Sequence, residues 1–163
     1  MGPLRLFLAA ALAVLSAAAR AEEVTLVATG DIRLDGPHGA VIRLLGPEVP
    51  TRRVRSWLSG DIVFGNLETA VTRRGEKAEK KWNFRCPEES LAALSAAGYT
   101  VLNLANNHVM DYGPTGLGDT LAALSRRGFL HMGAGKDLAA ARKPVFVSAG
   151  GLRIGFLGLT STV

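Results

Sequence analysis

Three apolar runs in this chain stop abruptly at polar residues. Val24 to Ala28 runs into Thr29-Gly30-Asp31, and Asp61 to Phe64 into Gly65-Asn66-Leu67-Glu68. Val101 to Ala105 meets Asn106-Asn107-His108, followed by Asp111, Tyr112 and the glycines that flank Pro114 and Thr115. An apolar, β-branched run opening into a polar loop is the pattern of a buried parallel strand and its C-terminal end. Open α/β sheets gather ligand-binding side chains in the crevice outside those ends. The three ends are therefore expected to converge on one polar hollow.

The stretches between them predict the rest of the chain. Glu23 to Ala28 reads as the first strand, buried on both faces. Leu34 to Pro50, rich in glycine and proline, reads as an irregular excursion holding a short strand at Ala40 to Leu45. Thr51 caps a short helix through Leu58 with Val54, Trp57 and Leu58 on its inner face, and Asp61 to Phe64 is the second strand. Thr69 to Asn83 is a charge-rich loop expected to be solvated and mobile, with a lid over the site as the alternative. Pro87-Glu88-Glu89 opens a helix with the stripe Leu91, Leu94 and Ala97, which Gly98 ends. Tyr99 to Ala105 is the third strand. A helix over Thr115 to Arg127, with Leu117, Leu121 and Leu124 inward, leads through Gly128 to a fourth strand at Phe129 to Met132. Gly133-Ala134-Gly135-Lys136 lacks the spacing of a phosphate loop and reads as a turn into a short helix, Asp137 to Arg142. Pro144 to Val147 and Leu152 to Leu159, joined at Ala149-Gly150-Gly151, predict a hairpin at the sheet edge. The order βαβαβαβ then ββ implies an α/β domain with right-handed crossovers.

Composition adds a compartment. With 163 residues, 48% of them hydrophobic, the chain fits one globular domain. Residues 1–21 have the form of a signal peptide: a basic start, an Ala-rich apolar run from Leu6 to Leu15, and Ala19-Arg20-Ala21 as a small-x-small cleavage site. That run is too short to span a bilayer, so the reading is export to a periplasmic or other extracytoplasmic location, with an uncleaved leader as the only expected membrane contact. The net charge of +5 falls to +3 without the leader, which holds Arg5 and Arg20 and no acid. Its densest stretches, Arg52-Arg53-Val54-Arg55 and Arg73 to Lys81, lack the aromatic interleaving of a nucleic-acid surface, and they suit an anionic envelope. Cys86 is the single cysteine, which excludes an internal disulfide and a multi-cysteine metal site.

Asp31, Asn66, Glu68, Asn107 and His108 combine oxygen donors with one imidazole, a mixture suited to Mn, Fe or Zn and, with more oxygens, to Mg or Ca. Two adjacent divalent cations in such a set would activate a bridging water. His108 either ligates a metal or donates a proton to a leaving oxygen. Simpler roles stand beside these. Asp31 and Asn66 each follow a glycine and can bond the turn they end, Asn106 reads as a turn residue, Asp111 as a helix cap, and Tyr112 as a cover for apolar surface.

Gly30-Asp31-Ile32, Gly65-Asn66-Leu67-Glu68 and Leu104-Ala105-Asn106-Asn107-His108, followed by Asp111-Tyr112-Gly113 and Gly116, resemble successive signatures of the CapA family, named for poly-γ-glutamate capsule synthesis. The likeness runs from about Val24 to the end and includes Phe84, Pro87, Gly98, Thr120, Leu121 and Gly128. That family is similar to calcineurin-like metallophosphatases, so the resemblance implies an α/β/β/α sandwich with a metal site at the strand ends. Carried over residue by residue, it makes Asp31 the first metal-binding aspartate, places Asn66 at the bridging position, and makes Asn107 a ligand and His108 the histidine that assists catalysis. Glu68 would supply the carboxylate that Asn66 lacks, and Arg33, where the phosphatases carry a histidine, would face substrate with Asp111 and Tyr112. Family members continue past the point of Val163 with further histidine segments, so residues 22–163 read as the N-terminal part of the domain. The expectation is an exported protein of capsule or envelope polymer synthesis or processing, with an anionic polymer and other capsule-synthesis proteins as partners. The alternative is a catalytically incomplete half-domain that binds polymer or serves assembly.

Overall fold

A computed structural model describes residues 23–161; the expected leader lies outside the described residues. In chain order they form β1 (Leu26–Ile32), α1 (Gly36–Leu45), β2 (Ile62–Leu67), β3 (Ala70–Val71), β4 (Arg85–Cys86), α2 (Ala92–Ala97), β5 (Val101–Asn103), α3 (Gly113–Arg126), β6 (Leu130–Met132), α4 (Leu138–Ala141), β7 (Val145–Ala149) and β8 (Leu152–Phe156). The apolar runs at 62–67 and 101–103 become the two inner strands of a parallel sheet ordered β1-β2-β5-β6. Ile62, Val101 and Leu102 have no exposed surface, as expected for strands covered on both faces. The chain is an α/β domain.

The two faces of this sheet bury different partners. Leu67, Leu102 and Leu104 pack with Ile42, Leu91, Leu94, Ala123 and Leu124 from the helical segments. Ile62, Val101 and Met132 pack instead with Val145, Val147, Ile154 and Phe156 of β7 and β8. Those two strands are antiparallel and form a sheet of their own, joined by Gly150 and Gly151, both at positive φ as a tight hairpin turn requires. The hairpin therefore lies on the face of the parallel sheet and is not paired to its edge as expected, because alternate residues of β7 and β8 are apolar and need that face. Among the described residues the layers run helices, parallel sheet, hairpin. The outer helical layer of the implied sandwich has no counterpart among them.

Several expected elements differ. The segment predicted as an irregular excursion with a strand at 40–45 is α1: Pro37 sits in its first turn, where a missing N–H is harmless, and Gly46 ends it at φ 106. β1 is an edge strand with Leu26 47% exposed, not a strand buried on both faces. The helix expected from Thr51 reduces to a 3₁₀ turn at Arg55–Leu58 that buries Leu58 while Val54 and Trp57 face solvent. On α3 the fully buried face is Gly116, Thr120, Ala123 and Leu124, with Leu117 and Leu121 half-buried, because Thr120 accepts the Val71 N–H and ties the helix to β3. The helix at 88–97 forms as predicted, opening as a 3₁₀ turn and closing at Gly98 in the left-handed region. Cys86 is buried, and burial pushes its thiol up to about 12.

Gly128 and Gly133 both hold positive φ, 77 and 86, but only Gly133 lies against backbone: a Cβ there would come within 2.7 Å of Ala105 N and 2.6 Å of Ala105 Cβ. Gly128→Ala is expected to cost about 1–2 kcal/mol through its backbone conformation alone. Gly133→Ala should cost a further 1–3 kcal/mol, roughly, as an overpacked site. Urea unfolding of the two variants measures the difference, and equal values would refute the contact.

Candidate functional site at the strand ends

Register places the site. Asn66 pairs with Asp31 of β1 on one side and Asn103 of β5 on the other, so three polar residues form one row across the sheet. Asp31 joins this row through a bulge. Ala28 pairs with Phe64 and Asp31 with Asn66, three steps along β1 against two along β2. Without the extra residue Asp31 would sit beside Leu67 and project from the opposite face. Asn66 and Asn103 continue the alternation of Ile62, Phe64 and Val101, so the row stands on the hairpin side, at its C-terminal rim.

Hydrogen bonds make the row a directed chain. Ala105 N–H donates to Asn103 Oδ1 at 3.2 Å and His108 N–H donates to Asn106 Oδ1 at 2.9 Å. These backbone donors fix both amides, so Asn103 Nδ2 and Asn106 Nδ2 turn to Asn66 Oδ1, at 2.8 and 3.1 Å. Asn66 is fixed in turn, and its Nδ2 donates to Asp31 Oδ1 at 2.8 Å. Amide orientation, which heavy-atom positions alone leave open, is thus dictated by the network. Gly133 and Gly158 close over Asn103; a Cβ on Gly158 would lie 2.2 Å from Asn103 Oδ1.

The chain ends at a buried imidazole. His108 is 7% exposed and its Nδ1 lies 2.9 Å from Oδ2 of Asp111, which has no exposed surface. Asp111 Oδ2 also accepts the Phe84 N–H at 2.6 Å, and the Lys80 ammonium contacts Oδ1. An ionised Asp111 makes Nδ1 the protonated nitrogen and leaves Nε2 as the basic one. Nε2 bonds to none of the described residues and is not sealed from solvent. The imidazole stacks on Phe84 with ring centres 4.1 Å apart, and the Arg33 guanidinium lies 3.7 Å above the other ring centre, held by two bonds to Asp35. Those bonds raise the Arg33 pKa above its ordinary value and keep it charged.

The family model described as "Bacterial capsule synthesis protein PGA_cap" matches residues 25–163. The chain belongs to this capsule-synthesis family. It is 33% identical over 144 residues to "Capsule biosynthesis protein CapA" of Bacillus anthracis, covering 85% of this chain and 35% of the relative. To "PGA biosynthesis protein CapA" of Bacillus subtilis it is 37% identical over 105 residues, 63% of this chain and 28% of that one. A "Probable polyglutamine synthesis accessory protein" of Mycobacterium tuberculosis is 44% identical over 91 residues, 55% and 24% of the two chains. The chain thus spans about a third or less of the length of these curated relatives.

In this member of the family the expected residues divide into four groups. Asp31, Asn66 and His108 belong to one hydrogen-bonded chain through Asn106. Asn107 is exposed beside His108, and its carbonyl accepts from Lys80. Glu68 opens with Asp31, Arg33 and His38 onto a hollow of about 470 Å3 lined also by Tyr99 and Leu94. Asp111 and Tyr112, expected at a substrate, are buried: Asp111 is enclosed by His108, Phe84 and Lys80, and Tyr112 lies beneath Arg85.

Asn103, Lys80 and the linking role of Asn106 escaped sequence reasoning. Asn103 left one signal, an amide in an apolar strand two residues from Val101 and so on the same face.

The donors do not fit a two-cation centre. Asn66 Oδ1, the atom that would bridge two cations, already accepts two N–H groups. Among the described residues no three His, Cys, Asp or Glu lie together at metal-ligand spacing. Asn66→Asp would put a second carboxylate against Asp31. It is expected to lose about 1.5–3 kcal/mol at pH 7, the value of a bond to a charged group, and to regain stability with millimolar Mn2+. Thermal melts with and without the ion check this; an Asn66→Asp variant as stable as the wild type, and indifferent to Mn2+, would contradict it.

Proposed function

We infer that this chain is an exported member of the capsule-synthesis family that acts on an anionic envelope polymer of the poly-γ-glutamate type, cleaving or transferring its γ-glutamyl amide bonds. The polymer class rests on family membership and on the names of the relatives, and export on the leader at 1–21. The observation that carries the chemistry is the buried His108–Asp111 pair, joined through Asn106 and Asn66 to Asp31.

The division of labour follows from the bonds. Asp111 holds the imidazole by Nδ1, so Nε2 is the atom that takes a proton from an attacking water or hydroxyl and returns it to the leaving amine nitrogen. Asn66 holds Asp31 by Oδ1, which leaves Oδ2 to orient the nucleophile. Arg33, with Nη1 outside its pair with Asp35, offers a cation to a side-chain carboxylate of the polymer. A divalent cation (Mn, Fe, Zn or Mg) in the hollow would draw on Asp31 and Glu68, and none of these roles passes through it.

The test uses poly-γ-glutamate of defined length with release of new amine ends as the readout. His108→Ala is expected to lower the rate by about 100-fold or more, the scale of a missing general acid–base group. Asp111→Asn should lower it by a similar factor with the fold intact by circular dichroism. Turnover by the wild-type chain that survives His108→Ala unchanged would refute the assignment, and chelation with EDTA reports separately whether a cation takes part.

A further inference from the structure

The segment 73–83, expected from its charge to be a mobile loop, is fastened along the loop that carries His108. Gly75, at φ 85, lies so close to Tyr112 that a Cβ would come 2.2 Å from its carbonyl oxygen. Ala78 N–H donates to the Asp111 carbonyl at 2.9 Å. Asn83 Nδ2 donates to the Ala78 and Lys80 carbonyls and keeps the segment folded on itself. The Lys80 ammonium then reaches both the fully buried Asp111 carboxylate and the Asn107 carbonyl. The segment ends in Phe84, whose N–H and ring contact Asp111 and His108.

Arg73 and Arg74 pair with Glu89 and Asp119 at the start of the segment; Lys80 is the charge it turns toward the His108 loop, and its partner is the carboxylate that orients His108. A carboxylate with no exposed surface is strongly disfavoured without donors, and Phe84 N–H and His108 Nδ1 both fall on Oδ2, so Oδ1 depends on Lys80. The attraction works in both directions: the buried charge holds the strap down, and the strap delivers the cation that makes the buried charge tolerable.

We propose that Lys80 is a positioning residue and latch: its ammonium holds strap 73–83 against the His108–Asp111 pair, so that release of this contact exposes the imidazole further. The consequence for polymer chemistry rests on the reading of His108 given above; the latch itself does not. Polymer that drew Lys80 toward its own carboxylates would open the strap and widen the approach to Nε2 in the same step.

The probe is diethylpyrocarbonate, with modification of His108 followed by mass spectrometry and exposed His38 as the internal reference. Lys80→Cys is expected to raise the His108 rate about tenfold with His38 unchanged, the signature of a local opening. Alkylation of the introduced thiol with 2-bromoethylamine restores an ammonium at nearly the original length, and the rate should return to within about twofold of wild type. Cys86 stays unmodified in the folded chain, since burial keeps its thiol protonated.

A folded Lys80→Cys variant with unchanged His108 reactivity would overturn the latch, as would a rate that stays high after the ammonium is restored or rises only with loss of the folded circular dichroism signal. Failure of the polymer assignment would appear elsewhere, as absence of turnover by the wild-type chain, and would leave these rates as they are.

Discussion

At the end of β2 a single carbonyl oxygen, Asn66 Oδ1, accepts N–H groups from Asn103 and Asn106, and these two hydrogen bonds join the strand ends into one network. They turn the Asn66 amide nitrogen toward Asp31 and fix which carboxylate oxygen of Asp31 stays free. Through Asn106 that amide is also tied to the His108 backbone. A neutral amide suits this place because it has both a donor and an acceptor to offer; a carboxylate would serve the two asparagines but repel Asp31.

The amide can occupy that position only because the sheet delivers it. Parallel pairing at 4.7–4.9 Å or so brings Asp31, Asn66 and Asn103 into hydrogen-bond range as direct neighbours, and the bulge in β1 corrects the alternation for Asp31. Beneath the row lies the apolar layer of Ile62, Val101 and Met132 under the hairpin, and the glycines at 133 and 158 let the backbone close on Asn103. Packing thus converts three distant segments into one polar rim, and the strap 73–83 with Lys80 completes its far side. The placing of His108 is a property of that assembly and of no single loop.

Much of this was legible in the sequence for a physical reason: buried strands write themselves as apolar runs, and their C-terminal ends as sudden polarity. The inner strands and the convergence of Asp31, Asn66 and His108 followed from that contrast, and the helix stopped by Gly98 and the glycine hairpin followed from their turn residues. Lys80 was invisible because a lysine in a charged run looks solvated unless its partner is known, and Asp111 looked like a helix cap because its burial depends on residues 27 and 31 positions away, Phe84 and Lys80. The α1 segment was misread because glycine and proline signal turns, whereas here Pro37 and Gly46 mark the two ends of a helix. Asn106 looked local because its own turn is local; its other end reaches β2.

The central claim is the direction of the amide chain, and side-chain hydrogen exchange tests it most directly. In 15N-labelled protein both carboxamide protons of Asn103 and Asn106 are engaged, by Asn66 Oδ1 and by the Ala105 and Leu67 carbonyls. Their NMR signals should exchange with water at least about tenfold more slowly than those of exposed Asn107. Asn103 and Asn106 carboxamides that exchange as fast as Asn107 would contradict the account.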